Sequence, residues 1–330
     1  MTKRRIGNIV VKDLKERSRE GLELAKHLIL AEKIENSILQ EALAYYVDNW
    51  HEYTHPGLFM MAFEAVGGDK RRGLQAQAAI AMFTAAFDLH DDIIDKSAEK
   101  HNVQTIYGKF GYGITLLLGN AFLIEGFKLF GNSVVVTLPK ERQKKAFNAL
   151  QLLLYEVGDA HVSEINSKEN KEISTEEYLK TTELKAASLE ADMYFGALLG
   201  GADEEVVESI ARIGRILGIL VTLREDIIDV FDIGELRQRI KVQDLPLPLL
   251  LAAKNPEIKE RISVIISKRN LTETDVADLV DLTMKSPSAV ELKNRMQHLI
   301  VEGLDLSSKL PQRKSINKLQ NLLKFMLEDL

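Results

Sequence analysis

The chain has 330 residues, 45% of them hydrophobic and 28% charged, with a net charge of −6 and no cysteine. That balance supports a packed core, argues against a nucleic-acid partner, and excludes disulfides, thiolate metal sites and cysteine nucleophiles. The basic run Lys3-Arg4-Arg5 is short, has no interleaved aromatic residues and reads as a frayed terminus. No uninterrupted apolar stretch approaches the roughly 20 residues of a membrane-spanning helix, and the N-terminus lacks an apolar signal core. A soluble, cytoplasmic protein without a transmembrane segment is expected.

Apolar residues recur every three or four positions from the start, at Leu14, Leu22, Ala25, Leu28 and Ile29, which predicts helices at 11–31, 34–50 and 57–67. The fourth predicted helix, 70–98, carries a run of small residues (Ala76, Ala78, Ala79, Ala81, Ala85, Ala86) and then an acidic box, Asp91-Asp92-Ile93-Ile94-Asp95. Helices at 105–131 and 139–168 come next. Ser174-Thr175-Glu176-Glu177 has capping-box spacing and opens a helix predicted over 175–199. Gly200-Gly201 before Asp203 stops that helix and caps the next, 204–232, which carries a second box, Glu225-Asp226-Ile227-Ile228-Asp229. Shorter helices complete the chain at 246–254, 257–268, 273–284, 288–308 and 313–328. All seven prolines fall where the periodicity breaks. With no Pro/Gly/Ser-rich linker, the expectation is all-α, one domain over 1–330 built as a helical bundle around a central cavity.

The two boxes are the most informative feature. On a helix the first and fifth positions of such a box share a face, so Asp91 stacks with Asp95, and Asp88 and Glu99 extend the stripe. Several carboxylates on one face repel one another, and a cation between the boxes is expected. Mg²⁺ suits them, because it takes oxygen ligands and is usually held by one or two carboxylates plus the oxygens of a substrate phosphate. The plainer reading is a pair of acidic faces cross-linked by Lys and Arg. Two matching boxes favour a metal site formed by Asp91, Asp92, Asp95, Glu225, Asp226 and Asp229.

Gly67-Gly68-Asp69 leading to Asp88-Leu89-His90-Asp91-Asp92, then Thr105, Phe110-Gly111 and Gly119-Asn120-Ala121-Phe122-Leu123, resembles the first aspartate-rich region of the polyprenyl synthetase family, the trans-isoprenyl diphosphate synthases. Tyr178 and Lys185-Ala186-Ala187-Ser188-Leu189 resemble its lysine segment. Glu225 to Asp229 resembles its second acidic region, and Leu245-Pro246-Leu247-Pro248-Leu249-Leu250 the stretch just C-terminal to that region. The resemblance covers nearly the whole chain. It implies an isoprenoid-synthase-type fold, a homodimer, an allylic prenyl diphosphate held by about three Mg²⁺ ions, and catalytic roles for Asp91, Asp92, Lys185 and Asp226. It also implies condensation with isopentenyl diphosphate, lengthening the prenyl chain by five carbons.

The acceptor side departs from the family pattern. Where the family has Gly-Gly-Lys-x-x-Arg-Pro, this chain reads Trp50-His51-Glu52-Tyr53-Thr54-His55-Pro56, placing Glu52 at the lysine position and His55 at the arginine position. Lys100-His101-Asn102 stands for Arg-Arg-Gly, leaving Lys100 and His101 as candidate substrate-binding residues. In the second box Glu225 replaces an aspartate. Two other readings therefore stay open: an enzyme that ionises a prenyl diphosphate but cyclises it or uses another acceptor, as a class I terpene synthase does, and a non-catalytic partner subunit of a true synthase. His51-Glu52-Tyr53-Thr54-His55 also fits the zinc-hydrolase pattern His-Glu-x-x-His, although Pro56 biases His55 away from the helix that pattern needs. Before the first box, Phe83 with Met82 and Phe87 with Ala86 occupy positions that in the family floor the elongation cavity. That predicts short to medium chains of about 15 to 20 carbons.

Overall fold

The computed structural model describes residues 4–100, 103–169, 174–241, 245–268, 270–311 and 314–328. Among them the chain is helical, apart from one two-residue ladder. The elements are α1 (Arg4–Ala31), α2 (Ser37–Asn49), α3 (Thr54–Ala65), α4 (Lys70–Ile94), β1 (Glu99–Lys100), β2 (Val103–Gln104), α5 (Ile106–Thr137), α6 (Lys140–Glu169), α7 (Thr175–Lys185), α8 (Ala187–Leu199), α9 (Glu204–Phe231), α10 (Ile233–Lys241), α11 (Leu247–Ala252), α12 (Pro256–Ile266), α13 (Glu273–Lys285), α14 (Pro287–Ser308) and α15 (Lys314–Phe325).

The caps expected from sequence form. Ser174 and Glu177 make a reciprocal capping box, Thr272 and Asp275 make another, and Asp203 accepts the N–H of Val206. Each such cap stabilises its helix by about 1 kcal/mol.

Four departures from the predicted elements shape the site. First, α4 ends at Ile94 inside the acidic box: Lys96 takes a positive φ of 54°. Thr105 then captures the chain, its hydroxyl donating to the Ser97 carbonyl and its N–H to the Ala98 carbonyl. The segment between the two predicted helices forms an antiparallel pair, Glu99 with Gln104 and Lys100 with Val103. Glu99 is therefore not part of a helical acidic stripe. Second, the helix expected over 175–199 breaks at Ala186, directly after Lys185. A Cβ on Gly218 of α9 would lie 2.7 Å from the Ala186 Cα. That glycine lets α9 press against the break. Third, α10 comes after the second box without having been predicted. Fourth, α5 bends at Gly111, whose φ of 78° only glycine adopts cheaply.

The core is assembled around α4, which packs on α5, α1 and α3, and around α8, which packs on α9, α3 and α6. The alanines of α4 are all buried; their small size allows this close approach. Aromatic side chains fill the remaining space, with Phe130 and Phe195 edge to face at 4.8 Å and Phe59 stacked on Phe63. Burying each such ring contributes about 1.5–3 kcal/mol. A second, smaller cluster joins Val230 at the end of α9 to Leu236, Leu249, Ile262 and Leu279. By length and composition alone α5 is long and apolar enough to cross a membrane, although Glu125 and Lys128 interrupt its apolar run. One face of α5 packs on α4, whereas Leu117, Ile124 and Val136 are exposed.

Candidate active site

The end of α2, residues 50–55, the last turns of α4, the β1–β2 hairpin, α6 and the α7–α8 junction enclose a cavity of about 700 Å³, within the usual range for a small-molecule site. Ile80, Phe83, Phe87, Leu153 and Val157 form its apolar part. Asp88, Asp91, Asp92, Lys100, His161 and Lys185 form its charged part.

The first acidic box faces this cavity. Folded back by the hairpin, Lys100 places Nζ 2.8 Å from Asp88 Oδ1, 2.8 Å from Asp92 Oδ1 and 3.9 Å from Asp91 Oδ2. Asp92 is 3% exposed. Burial pushes its carboxyl up to about 6, against the lowering effect of Lys100. Asp91 is raised by burial and by its neighbour Asp95, the pairing that helical stacking requires. Burial alone would lower Lys100, but Asp88 and Asp92 hold it above the ordinary lysine range. His161 Nε2 stands 3.7 Å from Asp91 Oδ1. His90, beside the box, packs against Gly119 and is lowered by burial, partly offset by a hydrogen bond with Asn120. His101 lies outside the described residues.

Glu225, Asp226 and Asp229 are not among the residues lining that cavity. Asp226 is 2% exposed and closely held. The Tyr178 hydroxyl lies 2.8 Å from both its oxygens, and Arg239 Nη1 donates to Asp226 Oδ1 and Asp229 Oδ2, each at 2.7 Å. Burial pushes the Asp226 carboxyl up, partly offset by Arg239; Glu225 is raised by burial and then by Asp229 and Asp226. Lys185 links the two regions: it lines the cavity, pairs with Glu164, and its charge lowers both Asp91 and Glu225. Among the described residues no three acid or histidine side chains converge as a preformed metal cage.

Because α3 starts at Thr54, His51 and His55 do not share a helix, and the arrangement a zinc hydrolase needs is not formed. Glu52 instead accepts the N–H groups of Thr54 at 2.6 Å and His55 at 3.0 Å, capping α3. His55 Nδ1 lies 2.6 Å from Asp192 Oδ2. Trp50 packs edge to face on Phe122 at 5.2 Å and walls the same end of the cavity.

Asp192, Arg239 and Glu164 are the partners that sequence reasoning did not assign. Asp192 had a signal, since an acid inside an otherwise apolar helix such as α8 requires a buried partner. Arg239 had only the basic end of an unpredicted helix. Glu164 had none beyond its place on α6.

The polyprenyl synthetase family profile matches residues 36–283. A geranylgeranyl diphosphate synthase of Methanosarcina mazei is 27% identical over an alignment covering 63% of this chain and 63% of that enzyme's length. The heptaprenyl diphosphate synthase component 2 of Bacillus subtilis is 24% identical over 75% of this chain and 70% of its own. The crystal structure of geranylgeranyl pyrophosphate synthetase from Pyrococcus horikoshii shares the fold, with a TM-score of 0.85, 22% identity, and coverage of 97% of this chain and 98% of that one. A sequence match running through both acidic boxes, on an all-α frame that superposes almost end to end, means that the chain belongs to the polyprenyl synthetase family.

Proposed function

We propose that this protein is a Mg²⁺-dependent prenyltransferase that condenses an allylic prenyl diphosphate with isopentenyl diphosphate to make a short- to medium-chain polyprenyl diphosphate. The observation that carries this reading is the apolar cavity whose charged end holds Asp91, Asp92, Lys100 and Lys185. Such a site takes a prenyl tail into its apolar part and a diphosphate at its charged part.

The donor set suits Mg²⁺. It offers oxygen ligands only, and the carboxyl groups of Asp91, Asp92 and Glu225 are raised by burial and crowding. Asp91, Asp92 and Asp95 would hold the metal on one side and Glu225, Asp226 and Asp229 on the other, about three ions in all with diphosphate bound. When bound, the metal supplies charge stabilisation to the departing diphosphate. Lys185 adds a cation at the same place. The allylic carbon–oxygen bond breaks with its electron pair leaving on the diphosphate. The double bond of isopentenyl diphosphate attacks the allylic carbon, and a proton is lost to restore the alkene. Phe83 and Phe87, in the apolar lining of the cavity, would shield the cation from water.

Exposed apolar side chains on α5 and α6, including Ile124, Val136, Leu152 and Tyr155, support a homodimer in which such a surface is covered. A cytoplasmic location is proposed with it. A second reading is favoured by one observation: the position where the family carries a free lysine is here a carboxylate tied to the backbone. That change suits an enzyme using another acceptor, or a subunit active only with a partner. The Bacillus subtilis relative is itself named as a component 2.

One incubation tests these readings. The purified protein is given Mg²⁺ and dimethylallyl, geranyl, farnesyl or geranylgeranyl diphosphate, with and without isopentenyl diphosphate. Longer diphosphates appearing only with isopentenyl diphosphate support condensation. Alcohols or hydrocarbons formed without it replace that reading with ionisation toward another fate. No turnover until a partner is added replaces it with a subunit role.

A further inference from the structure

The end of the cavity at Trp50–His55, which the family resemblance assigns to the acceptor, contains a buried ion pair, His55 with Asp192. His55 opens α3 and Asp192 comes from the middle of α8; both line the cavity, with side chains 22% and 7% exposed. A carboxylate this deep is costly unless paired and hydrogen-bonded. Its 2.6 Å contact goes to His55 Nδ1. With Nδ1 bound, Nε2 is the ring's remaining polar atom and the one that can meet a ligand in the cavity.

Resting on the proposed condensation, we propose that Asp192 is a positioning residue for the acceptor: it fixes His55 as an imidazolium whose Nε2–H binds a phosphate oxygen of isopentenyl diphosphate. Glu52, the other acid nearby, is drawn aside as the helix cap of α3.

The surrounding charges fit this assignment. Burial alone would strip the proton from His55, but the charge and hydrogen bond of Asp192, helped by Glu52, raise it to about 9. Burial pushes Asp192 itself up, offset by His55. Other charged or titratable groups facing the shared cavity are Tyr45 and Tyr46 from α2, His51 from the turn before α3, Asp88, Asp91 and Asp92 from α4, Lys100 from β1, His161 from α6 and Lys185 at the end of α7. From α1, Lys15 sits over the Tyr53 ring. Of the residues from Trp50 to His55 that line the cavity, only His51 and His55 can carry a positive charge. A single N–H replaces the fork of five that a guanidinium presents, so recognition of the acceptor depends on keeping this one ring charged and oriented.

The test is the Asp192→Asn variant, with steady-state kinetics for each substrate and calorimetric binding of isopentenyl diphosphate without Mg²⁺. The KM for isopentenyl diphosphate rises about tenfold or more, as expected for loss of a charge-assisted hydrogen bond, while the KM for the allylic diphosphate stays within about twofold. In the wild type, kcat/KM for isopentenyl diphosphate falls as pH rises through about 9. In Asp192→Asn that limb moves to lower pH, because burial then acts on His55 without its partner. The double variant His55→Arg with Asp192→Asn restores acceptor binding and removes the limb, a rescue that a purely structural role for the pair would not produce. If Asp192→Asn does not fold, His55→Gln is read for the same tenfold loss. Unchanged acceptor KM and binding, equal losses for both substrates, or a double variant without rescue would overturn the assignment. Isopentenyl diphosphate bound in a manner sensitive to Asp192→Asn but never condensed would instead leave the assignment standing and remove the proposed reaction.

Discussion

The two acidic boxes are nearly identical in wording and differ in surroundings. The first opens on the cavity, and its counter-charge is Lys100, a flexible ammonium 37% exposed at the side chain that spans three carboxylates. In the second, Asp226 is sealed: it is bound by Tyr178, Arg239 and the Leu247 N–H, and the Arg239 side chain is 12% exposed. A point charge on a long stem exchanges readily for another cation, whereas a guanidinium fork bridging two carboxylates is held by geometry. The difference teaches that similar motifs carry different amounts of structural duty.

The largest effect that tests this contrast is on catalysis. Asp91→Asn and Asp226→Asn are each expected to lower kcat roughly 10²- to 10³-fold if both boxes stabilise the leaving diphosphate. Single-turnover release of diphosphate measures it. A normal rate in Asp226→Asn would make the second box purely structural.

Next comes stability. Arg239→Gln leaves a buried Asp226 without its main cation and is expected to cost about 3 kcal/mol in denaturant unfolding. Lys100→Gln acts on a more exposed group and is expected to cost less than about 1 kcal/mol. Equal costs would erase the contrast.

A smaller effect concerns pH. The folded-state carboxyl of Asp92 is raised to about 6 from 3.8, so the folded protein binds that proton more tightly than the unfolded chain. Without metal, this group's contribution to stability therefore grows as pH falls from about 6 toward 4 and is lost as pH rises through about 6. Magnesium needs the ionised form. Thermal stabilisation by Mg²⁺ with inorganic diphosphate is expected at pH 7.5 and largely absent at pH 5, and a pH-independent shift would show that Asp92 is not a ligand.

Smallest in rate but visible in product is the apolar wall. Phe83 is buried and packs edge to face on Phe127 at 5.2 Å and on Phe130 at 6.1 Å. Phe83→Ala and Phe87→Ala are expected to lengthen the main product by about one five-carbon unit. Unchanged length on chromatography of the hydrolysed products would place the limiting wall elsewhere.

Much of the architecture is legible in the residues alone. Periodicity marks the long helices, Ser174, Thr272 and Asp203 mark where three of them begin, and the first box marks the charged end of the cavity. Periodicity does not reveal where helices stop for tertiary reasons. Residues 95–98 continue a helical pattern, yet Thr105 bonds the Ser97 and Ala98 carbonyls and holds them as a turn into the hairpin that returns Lys100. Residues 175–199 read as one helix, yet the contact between Gly218 and Ala186 accompanies a break just beyond Lys185.

The sequence by itself determined the helical class, the paired acidic boxes and the departure from the family pattern at residues 50–56, because repeat spacing and residue type are local properties. Only the tertiary structure decided which cation answers each carboxylate: Lys100 at the first box, Arg239 at the second, and His55 for Asp192. Those pairings join different elements of the fold, and the distance and burial that give them their strength exist only once the helices are packed.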